Sequence, residues 1–198
     1  MTVIIMLAVF LGIAFGYLLF PVDMLSYTDY IMDVGLCLLL LLVGIDIGRQ
    51  KNVLQDIKKM GFSIILLPLL IALGSIVGAI VGGTIIGMPL NESSAIGGGL
   101  GWYSISAVLL SDYSTEISAI AFLSNVMREI IAILAIPLIA KYIGYMESVA
   151  PPGATAMDTT LPIITKYTDS KTAVVAFISG VVLSLLVPIL VPLLIGLV

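Results

Sequence analysis

Three polar residues, Asn125, Arg128 and Glu129, lie in the middle of a long apolar stretch. Their spacing of i, i+3 and i+4 puts them on one face of a helix. A fourth, Asp158, follows the helix-breaking run Pro151-Pro152-Gly153. Ionisable groups in so apolar a setting cost a few kcal/mol each at mid-membrane, which makes them candidate binding groups for an ion or a charged solute. Two carboxylates can hold ammonium groups or a small cation. A guanidinium, or the free N–H groups of a broken helix, can hold a carboxylate. Plainer roles stand beside these: an internal ion pair on the Arg128 helix, and a helix cap at Asp158 ahead of Thr159. The chain has no histidine, so a His-based metal site or proton relay is excluded. No nucleophile–base pair or metal-ligand spacing occurs. Gly97-Gly98-Gly99-Leu100-Gly101 lacks the lysine and strand–helix context of a phosphate loop. The sequence does not read as an enzyme.

These groups require two broken elements. The first spans 92–112, interrupted by four glycines in the five positions from Gly97 to Gly101. Trp102, Tyr103 and Ser104 follow directly. Aromatic residues in membrane proteins usually form interfacial belts, but here they fall where a hairpin tip belongs and can wall a cation. The second broken element spans 148–168 and holds Gly153, Ala154, Thr155, Asp158 and Thr159. Irregular backbone at membrane depth is tolerated only where protein or a water-filled cavity satisfies it.

Composition fixes the class. Of 198 residues, 61% are hydrophobic and 10% charged, with a mean hydropathy of +1.26. The apolar runs are continuous rather than alternating, which favours helices over a β-barrel. The expectation is an all-α integral membrane protein with a single transmembrane transporter domain over 1–198. Nucleic-acid binding is excluded as a role. Residues 3–22 are uncharged and long enough to cross a bilayer. Without a basic n-region or a clear cleavage site, they read as a retained span rather than a signal peptide. A second span covers 30–48, flanked by Asp33 and Asp46, with Cys37 packed in a leucine run. The polar connection 49–59 follows, then apolar residues 60–91, a long helix over 115–145 and a last span over 171–198.

Lysine and arginine placement orients the chain. With 49–59 in the cytoplasm, the N-terminus is cytoplasmic. If both broken elements are re-entrant hairpins, Lys141, Lys166 and Lys171 also face the cytoplasm and the C-terminus is extracellular. If both cross fully, Lys141 falls outside. The re-entrant reading gives about five full spans and two hairpins entering from opposite faces of the plasma membrane, the inverted-repeat-like arrangement of secondary transporters.

Four linked motifs carry a family resemblance: Gly101-Trp102-Tyr103-Ser104, Asn125-Val126-Met127-Arg128-Glu129-Ile130, Gly153-Ala154-Thr155-Ala156-Met157-Asp158 and Leu161-Pro162. In order and over nearly the whole chain they resemble the LysO family of lysine exporters. The resemblance implies export of L-lysine and of analogues such as thialysine. It also implies that Glu129 and Asp158 are essential. Longer members carry additional N-terminal helices, so a homodimer or a separate small membrane subunit is expected to replace them here.

Lysine's two ammonium groups match Glu129 and Asp158, and its carboxylate matches Arg128 or hairpin N–H groups. Moving a cation out against an inside-negative potential costs about 2.3 kcal/mol per charge per 100 mV. Coupling to entry of H⁺ or Na⁺ is therefore expected, with a site near Asp158 for Na⁺ if that is the ion; no cofactor is required. Two other readings share the residues. One is Na⁺-coupled transport of a small carboxylate anchored by Arg128. The other is a non-transporting partner subunit whose polar groups only assemble helices.

Overall fold

The structure, a computed structural model, describes residues 63–196, a turn at Gly61 and isolated helical positions at 11, 12, 14–16, 34, 38, 41 and 45. Most of the expected spans at 3–22 and 30–48 lies outside the described residues, as do the connection 49–59, Asp33, Cys37 and Asp46. The chain divides into two compact units, Met1–Gly44 and Ile45–Val198. The second holds every element named below, and all of them are helical.

Six α-helices are numbered here in the order they follow Gly61: α1 (Ser63–Ile85), α2 (Leu90–Gly98), α3 (Tyr103–Ser111), α4 (Thr115–Tyr142), α5 (Leu161–Tyr167) and α6 (Ser170–Ile195). Two 3₁₀ turns, Glu147–Val149 and Gly153–Met157, stand between α4 and α5. Among the described residues three helices, α1, α4 and α6, are long and apolar enough to cross a membrane. At 1.5 Å per residue, the 28 residues of α4 reach about 42 Å, beyond the roughly 30 Å hydrocarbon core. Leucines such as Leu73, Leu123 and Leu185 stand exposed on these helices. That is the pattern of surfaces solvated by lipid rather than water.

Side-chain caps set where the long helices begin. Ser114 Oγ accepts the Ile117 N–H at 3.4 Å and starts α4. Asp169 Oδ1 accepts the Thr172 N–H at 2.8 Å and starts α6. Each satisfies one of the donors left free at a helix start. Pro137 lies inside α4, and Pro188 and Pro192 inside α6.

Contacts order the ends of the bundle. The Tyr113 hydroxyl donates to Glu92 Oε1 at 3.0 Å, the Ser118 hydroxyl to the Ala107 carbonyl at 2.7 Å, and Asn91 Nδ2 to the Ile195 carbonyl at 3.5 Å. The start of α2, the end of α3, the start of α4 and the end of α6 therefore share one end. Chain α2–α3 leaves that end, breaks over Gly99–Trp102 and comes back to it. Lys141, Lys166 and Lys171 belong to the opposite end, near the close of α4 and the α5–α6 junction. α2 packs on α1 and α3 on α4, while α6 packs against both α2 and α3.

The second broken element, from Glu147 through α5, packs against α4 and α6. The two breaks meet through the backbone: the Ala154 N–H donates to the Leu100 carbonyl at 2.8 Å. Leu100 (φ 49°), Gly101 (φ 99°) and Gly153 (φ 66°) all adopt positive φ around this point. Leu100 is fully buried there.

Candidate functional site

The middle of α4 holds the first break in place. Asn125 Oδ1 accepts the Gly101 N–H at 2.7 Å. Its Nδ2 donates to the Ala121 carbonyl at 2.9 Å and to Ser106 Oγ at 3.4 Å. Asn125 is buried and ties the turn between α2 and α3 to the helix behind it.

One turn on, Arg128 reaches the second break. Its Nε donates to the Pro151 carbonyl at 2.8 Å, Nη1 to Ser75 Oγ at 2.8 Å and Nη2 to the Ala150 carbonyl at 3.4 Å. The adjacent Glu129 turns to other partners. Its carboxylate is hydrogen-bonded by the Thr159 side chain and lies within electrostatic reach of Asp158. Tyr103 is close enough to sense both carboxylates. Its ring meets Phe122 edge-on, with centroids 5.5 Å apart and planes at 84°.

Asp158 closes the 3₁₀ turn Gly153–Met157. It is not the cap of α5, whose N-cap is Thr160. Asp158 Oδ1 accepts the Thr159 N–H at 2.6 Å, with the Thr159 hydroxyl 3.4 Å away. The hydrogen bonds to this carboxylate thus come from the same short stretch of chain. The turn itself is internally braced: the Thr155 hydroxyl donates to the Pro152 carbonyl at 3.1 Å and the Thr160 hydroxyl to the Thr155 carbonyl at 2.8 Å.

A cavity of about 90 Å³ opens where the breaks meet. Its lining comes from Gly101, Trp102, Tyr103 and Ser104 of the first broken element, from Ala154, Thr155, Met157, Asp158 and Thr159 of the second, and from Ser184 of α6. One water needs about 10–15 Å³ by the same measure, so there is room for several waters or a solvated cationic head group. Glu129 borders the site through Thr159 rather than lining the cavity. Asn125 and Arg128 line a different, larger cavity of about 810 Å³ between α1, α2 and α4. Gly153 sits at the meeting point of the breaks, against the Leu100 carbonyl and the Arg128 guanidinium.

Sequence reasoning missed the α6 and α1 contributions. Ser184 lines the smaller cavity, and its hydroxyl donates to the Gly180 carbonyl at 2.9 Å. Gly180 lets the second break approach: a β-carbon there would stand 2.6 Å from Met157 Cβ and 2.7 Å from the Ala154 carbonyl oxygen. The signal was the cluster Ser179, Gly180 and Ser184 in an otherwise apolar span, a mark of close helix packing. Ser75, which accepts from Arg128, carried no comparable signal among the polar and glycine residues of α1.

Among the described residues no group of three or more His, Cys, Asp or Glu side chains is placed to hold a metal ion. The site offers a carboxylate pair, hydroxyls and aromatic residues, groups able to bind a cation.

The family model described as lysine exporter LysO matches residues 6–195. Lysine exporter LysO of Escherichia coli is 32% identical over 186 residues, covering 92% of this chain and 60% of the relative. A Haemophilus influenzae protein, named provisionally a lysine exporter, is 31% identical over 186 residues and is covered over 92% of its length. The chain therefore spans less than two thirds of the E. coli relative but nearly all of the H. influenzae one. No solved structure matches. The family is one of transporters, not enzymes. By the extent of these matches, the chain belongs to the lysine exporter LysO family.

Proposed function

We propose that this protein exports L-lysine and close cationic analogues such as thialysine, driven by inward movement of H⁺ or Na⁺. The observation that carries the reading is the convergence of Glu129, Asp158 and Thr159 with Tyr103 beside a small cavity at two crossing backbone breaks. Each carboxylate costs roughly 2.5–3.5 kcal/mol near the bilayer centre on insertion scales. A bound ammonium offsets that cost by charge-assisted hydrogen bonding. Trp102 and Tyr103 add the negative faces of their rings. Since Glu129 and Asp158 sense one another's charge, substrate and coupling ion compete for one acidic site. That competition links outward lysine to inward ion. The experiment is binding of radiolabelled L-lysine to purified protein in lipid nanodiscs. Saturable binding, displaced by thialysine and by rising H⁺ or Na⁺ but not by L-glutamate, is expected. Displacement by small carboxylates instead of cationic amino acids would favour a carboxylate transporter.

The two broken elements are proposed to be re-entrant, dipping from opposite faces of the plasma membrane, with the end carrying Lys141, Lys166 and Lys171 in the cytoplasm. The placement of these lysines at one end supports the orientation through the positive-inside rule. The N-terminus is then cytoplasmic and the C-terminus extracellular. In a Cys37→Ala background, Lys166→Cys should react with a membrane-impermeant maleimide only from the cytoplasmic side. Reaction only from outside would reverse the assignment.

A further inference from the structure

The peptide carbonyls of Ala150 and Pro151 lose their helical partners at the second break. In a continuous helix the Ala154 N–H would satisfy Ala150; here it donates to Leu100 of the other broken element at 2.8 Å. Unpaired carbonyls at membrane depth cost several kcal/mol each unless another donor reaches them. Arg128 is that donor, through Nε to Pro151 and Nη2 to Ala150. Its remaining arm, Nη1, goes to Ser75 Oγ, and the Ser75 hydroxyl donates in turn to the Gly97 carbonyl at 2.8 Å, in the last turn of α2 just ahead of the first break. One guanidinium thus joins both broken elements to α1 and α4. The fit is close: a β-carbon on Gly153 would stand 3.0 Å from Arg128 Cζ.

The same geometry separates Arg128 from the acidic groups. Arg128 lines the larger cavity and Asp158 the smaller, and the two cavities share no lining residue. The Nε–Nη2 edge, one of the two that can grip a carboxylate through parallel hydrogen bonds, is taken by backbone. We infer that Arg128 is a positioning residue: it clamps the two breaks so that Asp158 is presented beside Glu129, and it does not hold the substrate's carboxylate.

The test pairs two readouts in Cys37→Ala protein. The first is independent of what is transported: the rate at which Ala154→Cys, buried at the crossing, reacts with a small permeant maleimide. Arg128→Gln should raise that rate about tenfold or more, the effect of a clamp weakened by roughly 1.4 kcal/mol. Arg128→Lys, which keeps the charge but lacks the fork, should also raise it. Ser75→Ala, which removes only the relay to Gly97, should raise it by a smaller factor. The second readout rests on the lysine reading: competition by 1,5-diaminopentane, which is lysine without its carboxylate. A clamp makes Arg128→Lys weaken lysine and the diamine by the same factor. Unchanged labelling in all three variants, or an Arg128→Lys protein that loses lysine while keeping the diamine, would overturn the assignment. If wild-type protein binds neither compound, the labelling arm alone decides.

Discussion

Asp158→Asn should abolish lysine transport while leaving the protein folded and inserted. Asparagine keeps the shape and one acceptor for the Thr159 N–H, which Asp158 Oδ1 now receives at 2.6 Å. Only the charge is lost. Truncating one side of a desolvated, hydrogen-bonded charge pair on binding, here Asp158 and the bound ammonium, typically costs about 2–5 kcal/mol, and each 1.4 kcal/mol is tenfold. Transport should therefore fall by more than roughly tenfold, with the elution profile in detergent unchanged. Glu129→Gln should fall similarly, because its carboxylate shares Thr159 with Asp158. Thr159→Val should cost less, since it removes one hydroxyl and no charge. Near-normal flux in Asp158→Asn, with its gradient dependence intact, would reduce Asp158 to a structural role and leave Glu129 as the acidic group of the site.

The second large effect belongs to Gly153. Its φ of +66° lies in the left-handed region, where a side chain costs roughly 1–2 kcal/mol. Space is shorter still: a β-carbon would run into the Leu100 carbonyl oxygen and press on the Arg128 guanidinium. That carbonyl also receives the Ala154 N–H, so Gly153→Ala attacks the contact that joins the two breaks. Loss of transport is expected together with a fall in melting temperature of several degrees, at about 2–4 °C per kcal/mol for a chain of this length. Gly78→Ala is the matched control. Among the described residues a β-carbon on Gly78 has no neighbour within 4 Å, and φ there is not positive. In a helix interior alanine is favoured over glycine by up to about 1 kcal/mol. Equal stability of the Gly153→Ala and Gly78→Ala proteins would mean that the breaks do not depend on their backbone contact.

Much of this arrangement is legible in the chain because the breaks announce themselves. Gly97 to Gly101 and Pro151-Pro152-Gly153 interrupt apolar runs, and polar residues crowd beside them. Spacing on α4 also places Asn125, Arg128 and Glu129 at one depth. It cannot say which way each side chain turns. Glu129 meets Thr159, whereas Arg128 meets the Ala150 and Pro151 carbonyls and Asn125 meets the Gly101 N–H. For Arg128 and Asn125 those choices follow the backbone groups left without helical partners at the breaks, and for Glu129 the position of the Thr159 side chain, all of them tertiary properties. Ser75 and Ser184 were hidden for a related reason. A serine in an apolar helix normally bonds back to its own turn, as Ser184 does to Gly180. Only the neighbouring elements reveal that Ser75 relays Arg128 to Gly97. The plainer role weighed for Asp158, a cap on the following helix, is not the one it takes: it closes the preceding 3₁₀ turn, and Thr160 holds the N-cap position of α5 without a side-chain hydrogen bond.

In the proposed export cycle, two crossing breaks present Asp158 and Glu129 to a cationic amino acid and to the ion that drives it out. Flux of radiolabelled L-lysine in proteoliposomes of purified protein, with and without an imposed pH or Na⁺ gradient, tests this cycle. Lysine should move opposite to one of the two gradients, with thialysine inhibiting it and both Asp158→Asn and Glu129→Gln abolishing it. Lysine flux indifferent to both gradients and to both substitutions, or no lysine flux alongside gradient-driven movement of a small carboxylate, would contradict it.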